Sequence, residues 1–184
     1  WSFRADGSWL VQESGTLSLQ AQLSAESTGL PQTLIAVVPP EVAVTLKELS
    51  ASVAGPLVMP KGNLRIDDDG TPGGKAVRFD GTLHVQGMAL DAGVPVTDAK
   101  GTLEFSADSP AHSKPTYEVR ALLDSFKAAK VSMTNGRVRL AGDAKVGSVL
   151  VPLVSADCYG GRVTGSMQIT TDARSVKHYE TAMS

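Results

Sequence analysis

The sequence predicts a mainly β protein, built on one long antiparallel sheet with a single short amphipathic helix. Apolar and polar residues alternate with a period of two along most of the chain, and turn residues separate the alternating runs. Only one segment has helical spacing instead. Successive side chains of a strand point to opposite faces, so each alternating run has one apolar and one polar face. We therefore expect a sheet with one face buried or covered.

The alternation defines the predicted strands, and glycine and proline define the connections between them. The clearest alternating runs span residues 16–25, 77–85, 99–105, 117–121, 137–140 and 163–169. We predict turns at Asp67–Gly74 and Asp91–Pro95, and a polar loop at Ser106–Pro115. The sharpest turn is predicted at Asn135–Gly136, because a type I′ hairpin needs two residues that tolerate positive φ.

The helical segment lies between two proline-containing boundaries. Val42, Leu46, Leu49 and Val53 recur at helical spacing, after Pro39-Pro40-Glu41 and before Gly55-Pro56. Proline and an acid in the first turn, with glycine just past the end, are typical of a helix in this direction. The helix is interpreted as one that packs at a sheet edge, with a lid over an apolar groove as the alternative.

The 184 residues are consistent with a single elongated β-rich module. We expect N-terminal strands in 1–37, the short helix in 38–56 and antiparallel strands in 57–184. The last residues continue a strand-like alternation without a terminating turn, so we expect the chain to be a fragment of a longer protein.

Composition excludes several classes of protein. Lys and Arg number 17 against 19 Asp and Glu, and this balance argues against a nucleic-acid binder. A single cysteine, Cys158, excludes an internal disulfide framework and a multi-cysteine zinc site. No stretch approaches the roughly 18 continuous apolar residues of a membrane span.

The motifs that carry chemistry are absent or incomplete, so we predict no enzyme, no cofactor and no metal. His84, His112 and His178 are too far apart for a metal-ligand motif. The acidic run Asp67–Asp69 lacks the alternation and the later glutamate of a calcium loop. The segment Gly70–Lys75 lacks the first glycine and the Ser or Thr of a phosphate loop.

A sheet with one aliphatic face has two structural uses that alternation does not distinguish. The face can close into an ordinary core, or it can line a groove for an apolar ligand. A tail of ~16 methylenes gains on the order of 10 kcal/mol from full burial, without any specific polar motif.

Three pairs of segments together resemble the AsmA-like family of bacterial envelope proteins, which includes TamB-type members. The first pair, Val38–Leu49 and Pro60–Ile66, is similar to the family's proline-initiated helix and glycine-marked strand. The second, Phe79–Leu90 and Gly93–Phe105, resembles its paired strands. The third pair is Val131–Val138 and Ala156–Ile169. The latter contains Tyr159-Gly160-Gly161 and Gly165, similar to the family motif at which one strand turns into the next.

The resemblance implies a twisted antiparallel sheet curled into a half-pipe, located in the periplasm and anchored to a membrane outside this segment. It implies a groove that carries lipid, specifically glycerophospholipid, between the inner and outer membranes, with envelope proteins as further partners. No catalytic residue is carried over. By strand phase, the residues expected to line the groove are Leu17, Leu19, Leu23, Val77, Phe79, Leu83, Val85, Leu103, Phe105, Val119, Val163, Met167 and Ile169.

Two other classes of function stay open at this point. A structural or assembly module would bind partner proteins through unpaired sheet edges. An enzyme on a β scaffold would need two carboxylates about 5–10 Å apart in a cleft. The carboxylates considered for it are Asp80, Glu104, Asp124, Asp143 and Asp157.

Overall fold

The computed structural model describes residues 2–11, 16–27, 52–53, 56–91, 94–113, 116–143, 148–171 and 177–184. These residues form eleven strands and, within those ranges, no helix. The strands are β1 (Ser2–Val11), β2 (Leu17–Ser27), β3 (Ser52–Val53), β4 (Leu57–Asp68), β5 (Lys75–Asp91), β6 (Pro95–Ser109), β7 (Thr116–Ala128), β8 (Val131–Asp143), β9 (Ser148–Cys158), β10 (Gly161–Thr171) and β11 (Lys177–Met183). The mainly β prediction is confirmed.

All eleven strands belong to one open antiparallel sheet. Its order is β1-β2-β4-β5-β6-β7-β8-β9-β10-β11, so nearly every strand pairs with its neighbours in the chain. The two-residue β3 is off this path and pairs with Met88 and Ala89 near the end of β5. Strands β1 and β11 are the two edges, and they do not pair with each other. The N-terminal strands therefore belong to the same sheet as the rest.

Two of the hairpins have tight two-residue turns. Ala129 and Lys130 connect β7 to β8 with φ of 48° and 70°, and Tyr159 and Gly160 connect β9 to β10 with φ of 49° and 79°. Positive φ at both central residues is the signature of the type I′ turn, whose twist matches that of the flanking strands. The Tyr159-Gly160-Gly161 motif therefore lies where one strand turns into the next.

The turn predicted at Asn135–Gly136 is wrong, because both residues lie inside β8. Asn135 does have a positive φ of 52°, and the pairing of β8 with β9 shifts by one residue between Thr134 and Arg137. A type I′ turn and a bulge of this kind both place a residue in the left-handed region, which asparagine tolerates, so the sequence signal was the same for either.

The other predicted connections are in part confirmed. The β4–β5 turn falls within Asp67–Gly74, and β5 ends at Asp91 while β6 begins at Pro95. The loop predicted at Ser106–Pro115 is shorter, because β6 continues through Ser109. Ser106 pairs with Asp80 of β5 and Glu118 of β7. The first residues of the predicted loop are therefore part of β6, and Ser106 lies on the polar face of the sheet.

The predicted helix within 38–56 falls mostly on residues 28–51 and 54–55, which lie outside the described residues. Ser52–Val53, at the end of that range, form strand β3 and are not helical.

The buried core lies on one face of the sheet, toward one end of the central strands. Val85 is 1% exposed, Ala99 is 0% and Leu57 is 5%, and all three belong to one cluster. The cluster also includes Leu123 and Phe126 near the end of β7. A second, smaller cluster surrounds Val151 in β9.

Aromatic rings on this face lie over glycines of neighbouring strands. Gly62 of β4 pairs with Gly81 of β5, which pairs in turn with Phe105 of β6. A Cβ at Gly81 would lie 2.7 Å from Cζ of Phe105, and one at Gly136 would lie 2.6 Å from Cε1 of Phe126. The missing side chains give the flat rings room to lie along the sheet.

We predict that Gly81→Ala destabilises the protein, although alanine usually favours a strand over glycine. The new methyl group would force the Phe105 ring to move, and such overpacking costs about 1–3 kcal/mol. Urea unfolding of the variant and the wild type measures the difference in free energy of unfolding.

Gly161→Ala is the matched control, because its Cβ would have no neighbour closer than the Cys158 carbonyl oxygen at 3.7 Å. We expect the control to unfold at or slightly above the wild-type urea concentration. A Gly81→Ala variant as stable as this control would show that the ring does not occupy the space over Gly81.

Candidate functional site

The candidate site is the apolar face of the sheet, and the pairing register places all thirteen predicted groove residues on it. Residues that are direct partners in adjacent strands share a face. Leu19 pairs with Ile66, which pairs with Val77. Leu83 pairs with Leu103, and Phe105 pairs with Val119. The same face continues through Ala121, Val138 and Val154 into β10.

The three residues of β10 complete this face near the sheet edge. Val163 pairs with Ala156, Met167 with Val151, and Ile169 with Val149. The register shift between Gly165 and Met167 adds the extra residue to β9 and leaves the alternation of β10 intact. Across the eight strands from β2 to β10 the apolar face is roughly 34 Å wide, at about 4.8 Å per strand.

The exposure of this face differs between the central strands and β10, near the sheet edge. Val85 is buried in the core, at 1% exposure. Val163 is the most exposed of the lining residues whose side chains are described, at 38%. The others are partly buried: Leu17, Leu19, Leu23, Val77, Phe79, Leu83, Leu103, Phe105, Val119 and Met167. The side chain of Ile169 lies outside the described set.

Two of the lining residues form the aromatic centre of the face. The ring centroids of Phe79 and Phe105 lie 5.0 Å apart, with the rings tilted by 47°. Such a pair contributes about 0.5–1.5 kcal/mol beyond its buried area. The rings are neighbours because Phe105 is the partner of Gly81, two residues beyond Phe79 in β5.

Sequence reasoning missed the most buried part of the same face. Leu57, Met88, Ala99, Leu123 and Phe126 belong to the core cluster but were not among the predicted lining residues. Extending the alternation of β7 by one step, from Ala121 to Leu123, would have found one of them. Met88 and Phe126 are out of phase with the residues before them, because the register shifts between Gln86 and Met88 and between Lys100 and Gly101.

The opposite face of the sheet is polar and carries cross-strand ion pairs. Glu118 of β7 accepts hydrogen bonds from Arg139 of β8 at 3.0 Å and from Arg120 at 2.6 Å. Asp157 accepts from Asn135 at 2.8 Å and from Arg162 at 2.9 Å. These hydrogen bonds, with the positive charge of the arginines, lower the pKa of both carboxyl groups.

An open depression of about 580 Å³ lies on this polar face, over β1, β2, β4 and β5. Gln20, Gln22, Asn63 and Asp80 are among the residues that line it. The Nδ2 atom of Asn63 donates to Oδ2 of Asp80 at 2.8 Å. The depression is thus built of hydrogen-bonding side chains at the surface and is separate from the apolar face.

The carboxylates considered for an enzyme lie in different strands. Asp80 is in β5, Glu104 in β6, Asp124 in β7 and Asp157 in β9. The side chain of Asp143 in β8 is outside the described set. In the described part of the chain, no group of three His, Cys, Asp or Glu residues has the arrangement of a metal site. A helix with the length and apolar character to cross a membrane is likewise absent from the described ranges.

We predict that Glu118→Gln weakens the pH dependence of stability at acid pH. The pKa of Glu118 is lowered in the folded protein, so folding favours its carboxylate, and between the two pKa values the unfolded chain binds more protons. The stabilisation is therefore complete above the ordinary glutamate value of 4.5 and is lost as the pH falls through the lowered folded value. Urea unfolding at a series of pH values from about 6 to about 3 measures how the free energy of unfolding depends on pH in the variant and the wild type.

Arg139→Gln removes the hydrogen bond that contributes most to lowering the pKa of Glu118, and we expect the same partial flattening of the pH profile. If the free energy of unfolding of both variants falls with pH as steeply as that of the wild type, the Glu118 ion pairs make no contribution to folding.

No protein-family profile, curated protein or solved structure matches this chain. The likeness to AsmA-like envelope proteins thus stays a prediction from the quoted motifs.

Proposed function

We propose that this chain is a non-enzymatic segment of an AsmA-like envelope protein, in which the apolar face shields the acyl chains of lipids during transport between membranes. The proposed setting is the periplasm of a bacterial cell envelope, with a membrane anchor elsewhere in the protein. The proposed cargo is glycerophospholipid, and the transport serves outer-membrane biogenesis.

The observation that carries this proposal is the continuity of one apolar face across eight strands of an open sheet. The face follows the strand pairing, and among the described pairs it carries charge at one end, where Leu17 pairs with Asp68 and Asp68 with Lys75. An acyl chain of one bilayer leaflet extends about 15 Å, half of the hydrocarbon thickness, and so fits within a face roughly 34 Å wide. The partly buried side chains from Leu17 to Met167 still have apolar surface to cover.

Polar chemistry is not needed for this activity. The gain from burying an acyl chain is proportional to its apolar area, and it has no directional requirement. Lipids with different headgroups would therefore bind through the same residues. The ion pairs of the polar face, such as Glu118 with Arg139, would face water on the other side of the sheet.

We predict that Val163→Glu weakens acyl-chain binding at least tenfold. Val163 is already 38% exposed, so the substitution adds a charge to the proposed lining with little disturbance of the core. The affinity is measured by displacement of a fluorescent fatty acid, and lipids co-purified with the wild type are identified by mass spectrometry of an organic extract.

Gln86→Glu is the matched control, because Gln86 is an exposed residue on the polar face and its partner in β6 is Lys100. It adds the same charge and is expected to leave probe binding unchanged. A lipid-free extract from folded protein, together with no probe binding, would contradict the proposal; so would equal binding by the two variants.

A second candidate function, assembly through the sheet edges, rests on exposed apolar side chains in the edge strands. In β1, Leu10 is 60% exposed and Val11 is 57%, and in β11 Met183 is 73% exposed. Unpaired edges accept an additional strand from another chain.

For this second function we predict oligomers whose mass rises with protein concentration in light scattering. Leu10→Lys should shift them toward the monomer, because charges on an edge oppose strand addition. A monomer at all concentrations would exclude assembly between copies through these edges.

A further inference from the structure

The apolar face ends in two charged side chains where β4 turns into β5. Strand phase places Asp68 and Lys75 on the same face as Ile66 and Val77, and the two charged residues are direct partners in the pairing of β4 with β5. Oδ1 of Asp68 accepts a hydrogen bond from the N–H of Gly70 at 2.9 Å. Lys75 is exposed and, in the described part of the chain, forms no ion pair. Opposite charges therefore stand side by side at the end of an apolar surface.

The same end of the face is also polar in the next two strands. Ser109 of β6 is the partner of Val77, and Tyr117 of β7 is the partner of Ala107. Both polar side chains are partly buried. We call this set the polar rim: Asp68, Lys75, Ser109 and Tyr117. It spans four neighbouring strands, from β4 to β7.

The other end of these strands is apolar and buried. Leu57, Val85 and Ala99 are 5%, 1% and 0% exposed and belong to the core cluster. From Lys75 to Val85 the strand extends roughly 33 Å, at about 3.3 Å per residue. The face therefore changes along β5 from charged to buried apolar, with partly buried side chains such as Phe79 in between.

The charged groups around the polar rim leave it without an excess of positive charge. Asp67, on the opposite face, is held by Arg65 at 2.6 Å. In the turn, Oδ2 of Asp69 lies 3.9 Å from Nε2 of His112. The single lysine of the rim thus has carboxylates beside it. Such a site favours a ligand that carries both signs of charge over one that is only anionic.

We propose that the headgroup of phosphatidylethanolamine binds at the polar rim, with its phosphate at Lys75 and its ammonium group at Asp68, while the acyl chains run along the strands toward the core. Both contacts are charge-assisted hydrogen bonds. Residues directly opposite in a sheet have Cβ atoms about 5 Å apart, which suits two neighbouring charges of one headgroup. This inference rests on the proposed function and extends its apolar lining to the headgroup.

Length and burial determine the direction of the acyl chains. A chain of about 15 Å that begins beside Val77 ends about five residues further along β5, near Gly81 and its partner Phe105. In the opposite direction the phosphate would lie over Val85 and Ala99, where the cluster and the side chains packed against it are all apolar. A charge buried there would lose its water without a hydrogen-bonding partner, at a high cost in free energy.

The experiment compares lipids that have the same acyl chains and differ in headgroup: phosphatidylethanolamine, phosphatidylcholine, phosphatidylglycerol and diacylglycerol. Each competes with a fluorescent fatty acid for the 184-residue chain. We expect phosphatidylethanolamine to bind about fivefold more tightly than the other two phospholipids, the upper range for one exposed ion pair. The quaternary ammonium of phosphatidylcholine has no N–H to donate to Asp68, and phosphatidylglycerol has no cation.

Lys75→Gln and Asp68→Asn should each lower the affinity for phosphatidylethanolamine about fivefold, with a smaller change for diacylglycerol, which has no headgroup charge. The matched control is Lys61→Gln. Lys61 is an exposed lysine of β4 on the polar face, where its partner is Thr82, and its removal should retain the wild-type preference. Circular dichroism and urea unfolding establish that each variant is folded before affinities are compared.

The diacylglycerol measurement separates this inference from the proposed function. If diacylglycerol binds but the three phospholipids bind equally, or if their order survives both substitutions at the rim, the headgroup site is overturned and the acyl-chain lining stands. Tighter binding of phosphatidylglycerol would also overturn the headgroup site. If folded protein binds neither diacylglycerol nor any phospholipid, the inference and the proposed function both fail.

Discussion

Backbone hydrogen bonds between long antiparallel strands determine which face of the sheet each side chain of this protein occupies. Because side chains alternate along each strand, the register of one pair fixes the face of every residue in both strands. A slip of one residue would move Phe105 from the apolar to the polar face. The direct pairs Leu83 with Leu103 and Phe105 with Val119 show that the central strands are held in phase. A continuous apolar surface follows from this phase.

Bulges and glycines adjust the ladder without losing the phase of the proposed lining. The bulge in β9 adds a residue there, while Met167 and Ile169 of β10 remain on the apolar face. Gly81 leaves room for Phe105, and the two aromatic rings fit side by side. At the same bulge of β9, Leu150 and Leu153 turn toward the polar face. One local irregularity therefore accounts both for the intact lining and for the exposed leucines of β9 on the polar face.

Much of the fold follows from alternation, because period two is a direct consequence of strand geometry. The runs around Leu19, Phe79 and Met167 became strands of one sheet, as the pattern predicts. The turn at Ala129 and Lys130 has no glycine or asparagine, so residue type gave no signal for its positive φ values. Asn135 gave that signal at a bulge instead. Strand β9 was not predicted either, since a continuous apolar run has no period.

The proposed function requires that acyl chains contact the apolar face of the sheet. Photo-crosslinking with a phospholipid that carries a reactive group near the end of its acyl chain tests this contact, with the labelled residues identified by mass spectrometry. We expect labels on the proposed lining, around Phe105, Val119 and Val163, at concentrations below those at which the lipid aggregates. Labels confined to the polar face, or no labels on folded protein, would contradict the claim.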